Sequence, residues 1–223
     1  MGIYLNPDNE DFTEILDSPT YVDKSGLISL LNPRISRKSL KYLCVSRARR
    51  FGKTWTADML KAYYSLGCDS RALFEKLAVA ADPSFAEHLN AYDVVHMDMA
   101  KFYLAADKDV GKTIRSLTEE VANEIYRQYP DVLFGKNKAL NFTLGNLFAH
   151  THRKIIFIVD EWDHILRDRR DKTSQKQYLE FVRLLFRDQS YVGLCYMTGI
   201  LPIRKYDGQS GLGFFQERSM IRP

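Results

Sequence analysis

Residues 41–60 read KYLCVSRARRFGKTWTADML. A short apolar run, Lys41–Val45, is followed by a basic stretch, by Gly52-Lys53-Thr54, and by residues with helical periodicity. A phosphate-binding loop needs that order of parts. A strand delivers the chain to a tight turn, the turn aims backbone N–H groups inward, and a helix N-terminus adds partial positive charge. In such a loop the lysine reaches the outer phosphates and the Ser or Thr holds Mg²⁺. The glycine that usually opens the loop would fall at position 47, and Arg47 stands there. The complete pattern therefore fails by one residue, and a basic surface loop is the competing reading. Beyond it, Trp55, Met59, Ala62, Tyr63 and Leu66 share the spacing of one helical face.

The chain carries a second Gly-Lys-Thr, Gly111-Lys112-Thr113, in DKDVGKT. No β-type run leads into it and Ala106 takes its opening position, so it reads as the start of a helix. A different segment, KIIFIVDEWD, supports the first loop: an apolar strand pattern ends in Asp160-Glu161. This is the Walker B arrangement, in which Asp160 faces Mg²⁺ and Glu161 polarises the attacking water. Strand ends of this kind are where open α/β sheets bind ligands, although two acids at a strand end also suit plain solvation.

Four runs read as buried strands: residues 41–45, 93–99, 154–160 and 191–199. Three of them lack strict alternation, as expected of a sheet covered on both faces. Helical patterns lie between them, with Val110, Ile114, Leu117, Val121 and Ile125 on one and Tyr178, Phe181, Val182, Leu185 and Phe186 on another. Alternating strands and helices predict an α/β domain with a mainly parallel sheet over residues 41–223. Residues 1–40 read as a helical preamble packed on the core, with turns at Ser18-Pro19 and Asn32-Pro33, and DRRDKTSQ (168–175) as a charged, exposed loop.

Composition narrows the class. The 223 residues carry 45% hydrophobic and 27% charged side chains, which is ordinary for a globular chain. A net charge of +4 is too weak to argue for nucleic acid by itself. Three cysteines without paired metal spacing, no leader at the N-terminus and no apolar run near the ~18 residues of a membrane span predict a cytoplasmic chain. The five histidines offer no ligand set, and surface or capping roles are expected of them.

Read together, YVDKSGLI, RARRFGKT, IIFIVDEWD, MTGILPIRK and YDGQSGLGFFQERSM resemble the AAA-ATPase-like family of P-loop proteins, in order and over nearly the whole chain. That family typically carries arginine where the first loop glycine is missing here. Ala48 replaces a frequent proline and Trp162 a frequent tyrosine, and neither change touches phosphate or metal chemistry. The resemblance implies a three-layer P-loop fold with strand order 5-1-4-3-2, the fifth strand short or lying beyond the C-terminus. It implies Mg²⁺-dependent ATP binding with slow hydrolysis. Members often continue into a PD-(D/E)XK nuclease-like domain. These residues stop before one, so nuclease activity is not expected, and a nucleic-acid partner enters only through a domain outside them. ATP is preferred to GTP on the resemblance, and no Asn/Thr-Lys-x-Asp guanine motif is present.

The residue assignments follow. Arg49, Arg50, Phe51, Gly52, Lys53 and Thr54 bind the nucleotide, with the arginines suited to bidentate phosphate contacts. Thr54 and Asp160 hold Mg²⁺ and Glu161 orients water. Thr198, ending a strand expected between the loop strand and the Walker B strand, serves as a sensor of the γ-phosphate or as a buried structural threonine. Arg204 and Lys205 neutralise transition-state charge or are plain surface cations. Asp98 supports the metal from one shell out or is a solvated strand end. Tyr21–Lys24 flanks the adenine or braces the sheet edge. Two other readings stay open: a non-hydrolysing nucleotide switch acting on a partner domain, and a nucleic-acid-binding module using Arg47–Arg50. Oligomerisation is compatible with the resemblance.

Overall fold

The computed structural model describes residues 1–168, 171–203 and 211–219. Its helices are α1 (Glu10–Leu16), α2 (Gly26–Leu31), α3 (Lys53–Tyr64), α4 (Arg71–Phe74), α5 (Phe85–His88), α6 (Met99–Ala105), α7 (Val110–Gln128), α8 (Leu140–Thr151), α9 (His164–Asp168) and α10 (Lys172–Phe186). Its strands are β1 (Tyr42–Ser46), β2 (Asp93–Asp98), β3 (Ile155–Asp160), β4 (Val192–Gly199) and β5 (Gln216–Ser219). The strands form one sheet in the order β2-β3-β4-β1-β5, with every pair parallel. The fifth strand is short, four residues, and pairs with β1 inside the chain.

Strand pleat sorts the core into two layers. Cys44, Met97, Phe157, Val159 and Met197 face one side, where α6 to α10 cover them. Leu43, Val94, Ile156, Ile158 and Tyr196 face the other, against α1 to α5. Helix–sheet–helix layering of a parallel sheet follows from crossovers that must return each strand to the same end. The functional consequence is that Ser46, Asp98, Asp160 and Gly199 all lie at one edge of the molecule, the C-terminal ends of their strands.

Several local expectations are revised. From Thr56 to Tyr64 every residue of α3 is buried, because α1 covers the side turned away from the sheet. Its polar residues are paired accordingly: Lys61 Nζ lies 2.7 Å from Asp58 and 2.8 Å from Asp11 of α1. Trp55, predicted for the apolar face, is instead 39% exposed, and Leu66 falls beyond the helix end. The charged segment 168–175 is not all loop, since Asp171 caps α10 by accepting the Ser174 N–H at 2.8 Å. The first residues of the chain pack on the sheet and on α7. Leu5 bridges Val95 in antiparallel sense, and Glu124 of α7 accepts the N–H groups of Ile3, Tyr4 and Leu5 at 2.9, 2.8 and 2.7 Å. Gly111-Lys112-Thr113 does open a helix: Asp109 caps α7 through the Lys112 N–H. Among the described residues no helix is long and apolar enough to cross a membrane.

Candidate functional site

The loop 47–52 leaves the end of β1 and enters α3 through Gly52, whose φ of 67° is left-handed. Only glycine takes that conformation without strain. A Cβ there would also meet Lys24 Nζ at 2.5 Å. No side chain caps the first turn of α3, so its N–H groups are open to an anion arriving at the helix terminus. Lys53 and Thr54 are the first two residues of this helix.

The acids arrive from β3, two strands away. Thr54 Oγ1 donates to Asp160 Oδ2 at 2.8 Å, across 106 residues of sequence. Lys53 Nζ lies 3.5 Å from Glu161 Oε1 and donates to the Ala48 carbonyl at 3.3 Å. Asp160 is 2% exposed and fully hydrogen-bonded: its Oδ1 accepts from the Glu161 N–H at 2.9 Å and from Thr198 Oγ1. β4 lies between β1 and β3, which is why Thr198 reaches Asp160. Thr198 is therefore buried and bonded to a carboxylate rather than to backbone.

Glu161 sits at φ 50°, uncommon for a residue with a Cβ. Its neighbours hold it there: the Trp162 N–H donates to the Thr198 carbonyl at 3.0 Å and the His164 N–H to the Glu161 carbonyl at 2.9 Å. Its Oε2 accepts from Arg167 Nη2, and Arg167 Nε donates to buried Asp163 at 3.0 Å. Arg167 and Asp163 carried no role in the sequence reading. Asp163 was visible as the last residue of DEWD, whereas Arg167 stood in no motif.

Lys53, Thr54, Glu161 and Arg167 border a cleft of about 890 Å³, with Asp160 buried behind Thr54. Among the described residues, Lys24, Arg49, Arg50, Lys53 and Arg167 line it against one carboxylate, Glu161. Its remaining wall mixes Thr20, Thr56 and His164 with apolar residues, among them Tyr21, Val22, Met59 and the substantially exposed Phe51 and Trp55. The Tyr21–Lys24 segment thus faces the loop: Lys24 Nζ donates to the Phe51 carbonyl at 3.1 Å, and Asp23 is pinned by the N–H groups of Ser25 and Ala78. Burial, with Asp23 beside it, pushes the Tyr21 phenol up to about 12, so it stays neutral.

The other assigned residues separate from this group. Arg47 is half-buried, donates its backbone N–H to the Gly199 carbonyl at 2.9 Å and does not line the cleft, which splits the Arg47–Arg50 run. Asp98 lies in register with Asp160 but caps α6 by accepting the Lys101 N–H at 3.0 Å. His96 is a half-buried strand residue rather than a surface one. Arg204 and Lys205 lie outside the described residues.

Among the described residues no group of three His, Cys, Asp or Glu side chains is placed to hold a metal ion. One hydroxyl and one carboxylate converging at 2.8 Å are hard oxygen donors, the set that suits Mg²⁺ when substrate phosphates and water complete its shell.

A five-strand all-parallel sheet between helices, with a Gly-Lys-Thr loop and a pair of acids meeting at the strand ends, is an α/β architecture consistent with a P-loop-like fold. A family model described as predicted AAA-ATPase matches residues 9–207, and the chain belongs to this AAA-ATPase-like family. The match supports a nucleotide-binding, ATPase-like protein. No curated protein gives a significant match.

Proposed function

We propose that the chain is a P-loop NTPase that binds Mg·ATP in this cleft and hydrolyses it slowly. The supporting observation is the meeting of Lys53 and Thr54 with Glu161 and Asp160, residues more than one hundred positions apart. The α3 N-terminus and Lys53 bind the β- and γ-phosphates, with Arg49 and Arg50 at the mouth. Lys53 exchanges one carboxylate for a more highly charged triphosphate. Thr54 and Asp160 would hold Mg²⁺, which when bound would neutralise charge on the phosphate oxygens. Glu161 orients a water and accepts its proton as the water oxygen bonds to the γ-phosphorus. The bond from that phosphorus to the bridging oxygen breaks, and the products are ADP and phosphate. Thr198 holds Asp160 in place. The exposed rings of Phe51 and Trp55, which line the cleft together with Tyr21, are the surface suited to a flat base.

Phosphate release and calorimetric titration of Mg·ATP test this reading on wild type, Lys53→Ala and Glu161→Gln. Wild type is expected to release phosphate slowly and only with Mg²⁺. Lys53→Ala is expected to weaken binding at least about 10-fold, and Glu161→Gln to keep binding while turnover falls about 100-fold. Binding without release in wild type would instead identify a nucleotide switch. No heat on titration into folded protein ends the proposal.

A further inference from the structure

The two oxygens of Glu161 are held by two different cations. Oε1 faces Lys53 at 3.5 Å and Oε2 takes Arg167. Lys53 has a second task at the phosphates, so it cannot be what orients Glu161 during turnover. Arg167 has a fixed address. Its Nε is tied at 3.0 Å to Asp163, which is 0% exposed. Asp163 in turn accepts the N–H groups of Ile200 at 3.2 Å and Leu201 at 2.7 Å, just past the end of β4.

The acid pair is thus braced from β4 twice. Thr198 holds Asp160 directly, and the Ile200–Leu201 amides hold Glu161 through Asp163 and Arg167. The Glu161 backbone is already locked in the left-handed region by its neighbours. What remains free is the carboxylate's rotamer. A planar guanidinium anchored at one end and donating from the other fixes that rotamer more narrowly than a single ammonium can.

Resting on the ATPase reading above, we infer that Arg167 is a positioning residue: it sets the Glu161 carboxylate for attack on the γ-phosphate and couples that setting to the end of β4 through Asp163. Arg167 acts on Glu161 and not on the nucleotide. Its removal lowers kcat and leaves nucleotide affinity intact.

The test uses Arg167→Gln, Arg167→Lys, Glu161→Gln and the double variant Glu161→Gln/Arg167→Gln in the full chain. Mg·ATP binding is read by calorimetry and turnover by phosphate release. Arg167→Gln is expected to lower kcat about 30-fold with Kd within about 2-fold, and Arg167→Lys to recover most of the loss. The double variant is expected to turn over within about 2-fold of Glu161→Gln alone, because two residues acting as one unit are not additive. Three results overturn the inference: unchanged kcat in Arg167→Gln, a Kd loss as large as the kcat loss, or losses that multiply in the double variant. Should Arg167→Gln not fold, Arg167→Met against Glu161→Gln/Arg167→Met gives the same reading, since methionine keeps much of the length of the side chain and removes the donors. Absence of release from wild type sinks hydrolysis and this inference together, whereas normal wild-type release with unchanged Arg167→Gln sinks this inference alone.

Discussion

Thr198 carries one hydroxyl, and that hydroxyl is spent on Asp160. Both groups are buried, so the bond is made in surroundings where losing it leaves a carboxylate oxygen short of a donor. Thr198→Val keeps the shape of the side chain and removes the donor. We predict a loss of about 1–2 kcal/mol in unfolding free energy, read by urea denaturation, typical of a buried hydrogen bond to a charged group. Turnover should fall with it, since Asp160 keeps only the Thr54 hydroxyl and the Glu161 N–H. A Thr198→Val protein as stable and as active as wild type would remove Thr198 from the site. At this scale the loop and the acids were legible because each has a chemical reason to sit at a strand end. Arg167 was not legible, because one arginine on the short α9 carries no periodic or motif signal until its neighbours are known.

The end of β4 is shaped by a side chain from another element. A Cβ built on Gly199 would lie 2.5 Å from Asp163 Oδ1 and 2.6 Å from Trp162 Nε1. Trp162 is fully buried and Asp163 is tied to two amides, so neither can step aside. Gly199→Ala is predicted to destabilise by about 2 kcal/mol, the usual cost of overpacking a closed core. Gly145→Ala in α8 is its control. Nothing lies within 4 Å of that Cβ, and exchanging a helical glycine should stabilise by about 0.5–1 kcal/mol. Urea midpoints moving in the same direction for both variants would refute the packing account. β1 to β4 were visible in the sequence to within about one residue, since buried parallel strands leave unbroken apolar runs. α3 was misread at both ends, with Leu66 lying past its last turn. Helical spacing assigned Trp55 to the buried face, but a cleft at the helix start exposes it. Periodicity marks a face; it does not say where that face stops meeting protein.

The molecule as a whole joins two core layers through β2, and His96 lies in that strand. Burial, then Lys61 and Lys101, pushes its pKa down to about 3, with Asp11 opposing. The folded pKa lies below the ordinary value of 6.5. As pH falls below 6.5, the unfolded chain therefore takes a proton that the folded chain refuses. Stability is fully present above that window and is lost progressively toward pH 3. Unfolding free energies at pH 7.5 and pH 5 should differ more for wild type than for His96→Gln, as linkage requires. An equal drop in both proteins would assign the acid loss to other groups.

Local sequence alone determined the strands, the Gly-Lys-Thr turn and the Asp160-Glu161 strand end, because each is written in consecutive residues whose spacing and chemistry are set by backbone geometry. Only the tertiary structure decided that Lys24 and Trp55 share the cleft, that Arg47 leaves it, and that Asp163 and Arg167 brace Glu161. Those contacts join residues from separate elements, and no pattern along the chain encodes which side chains a parallel sheet will bring to one end.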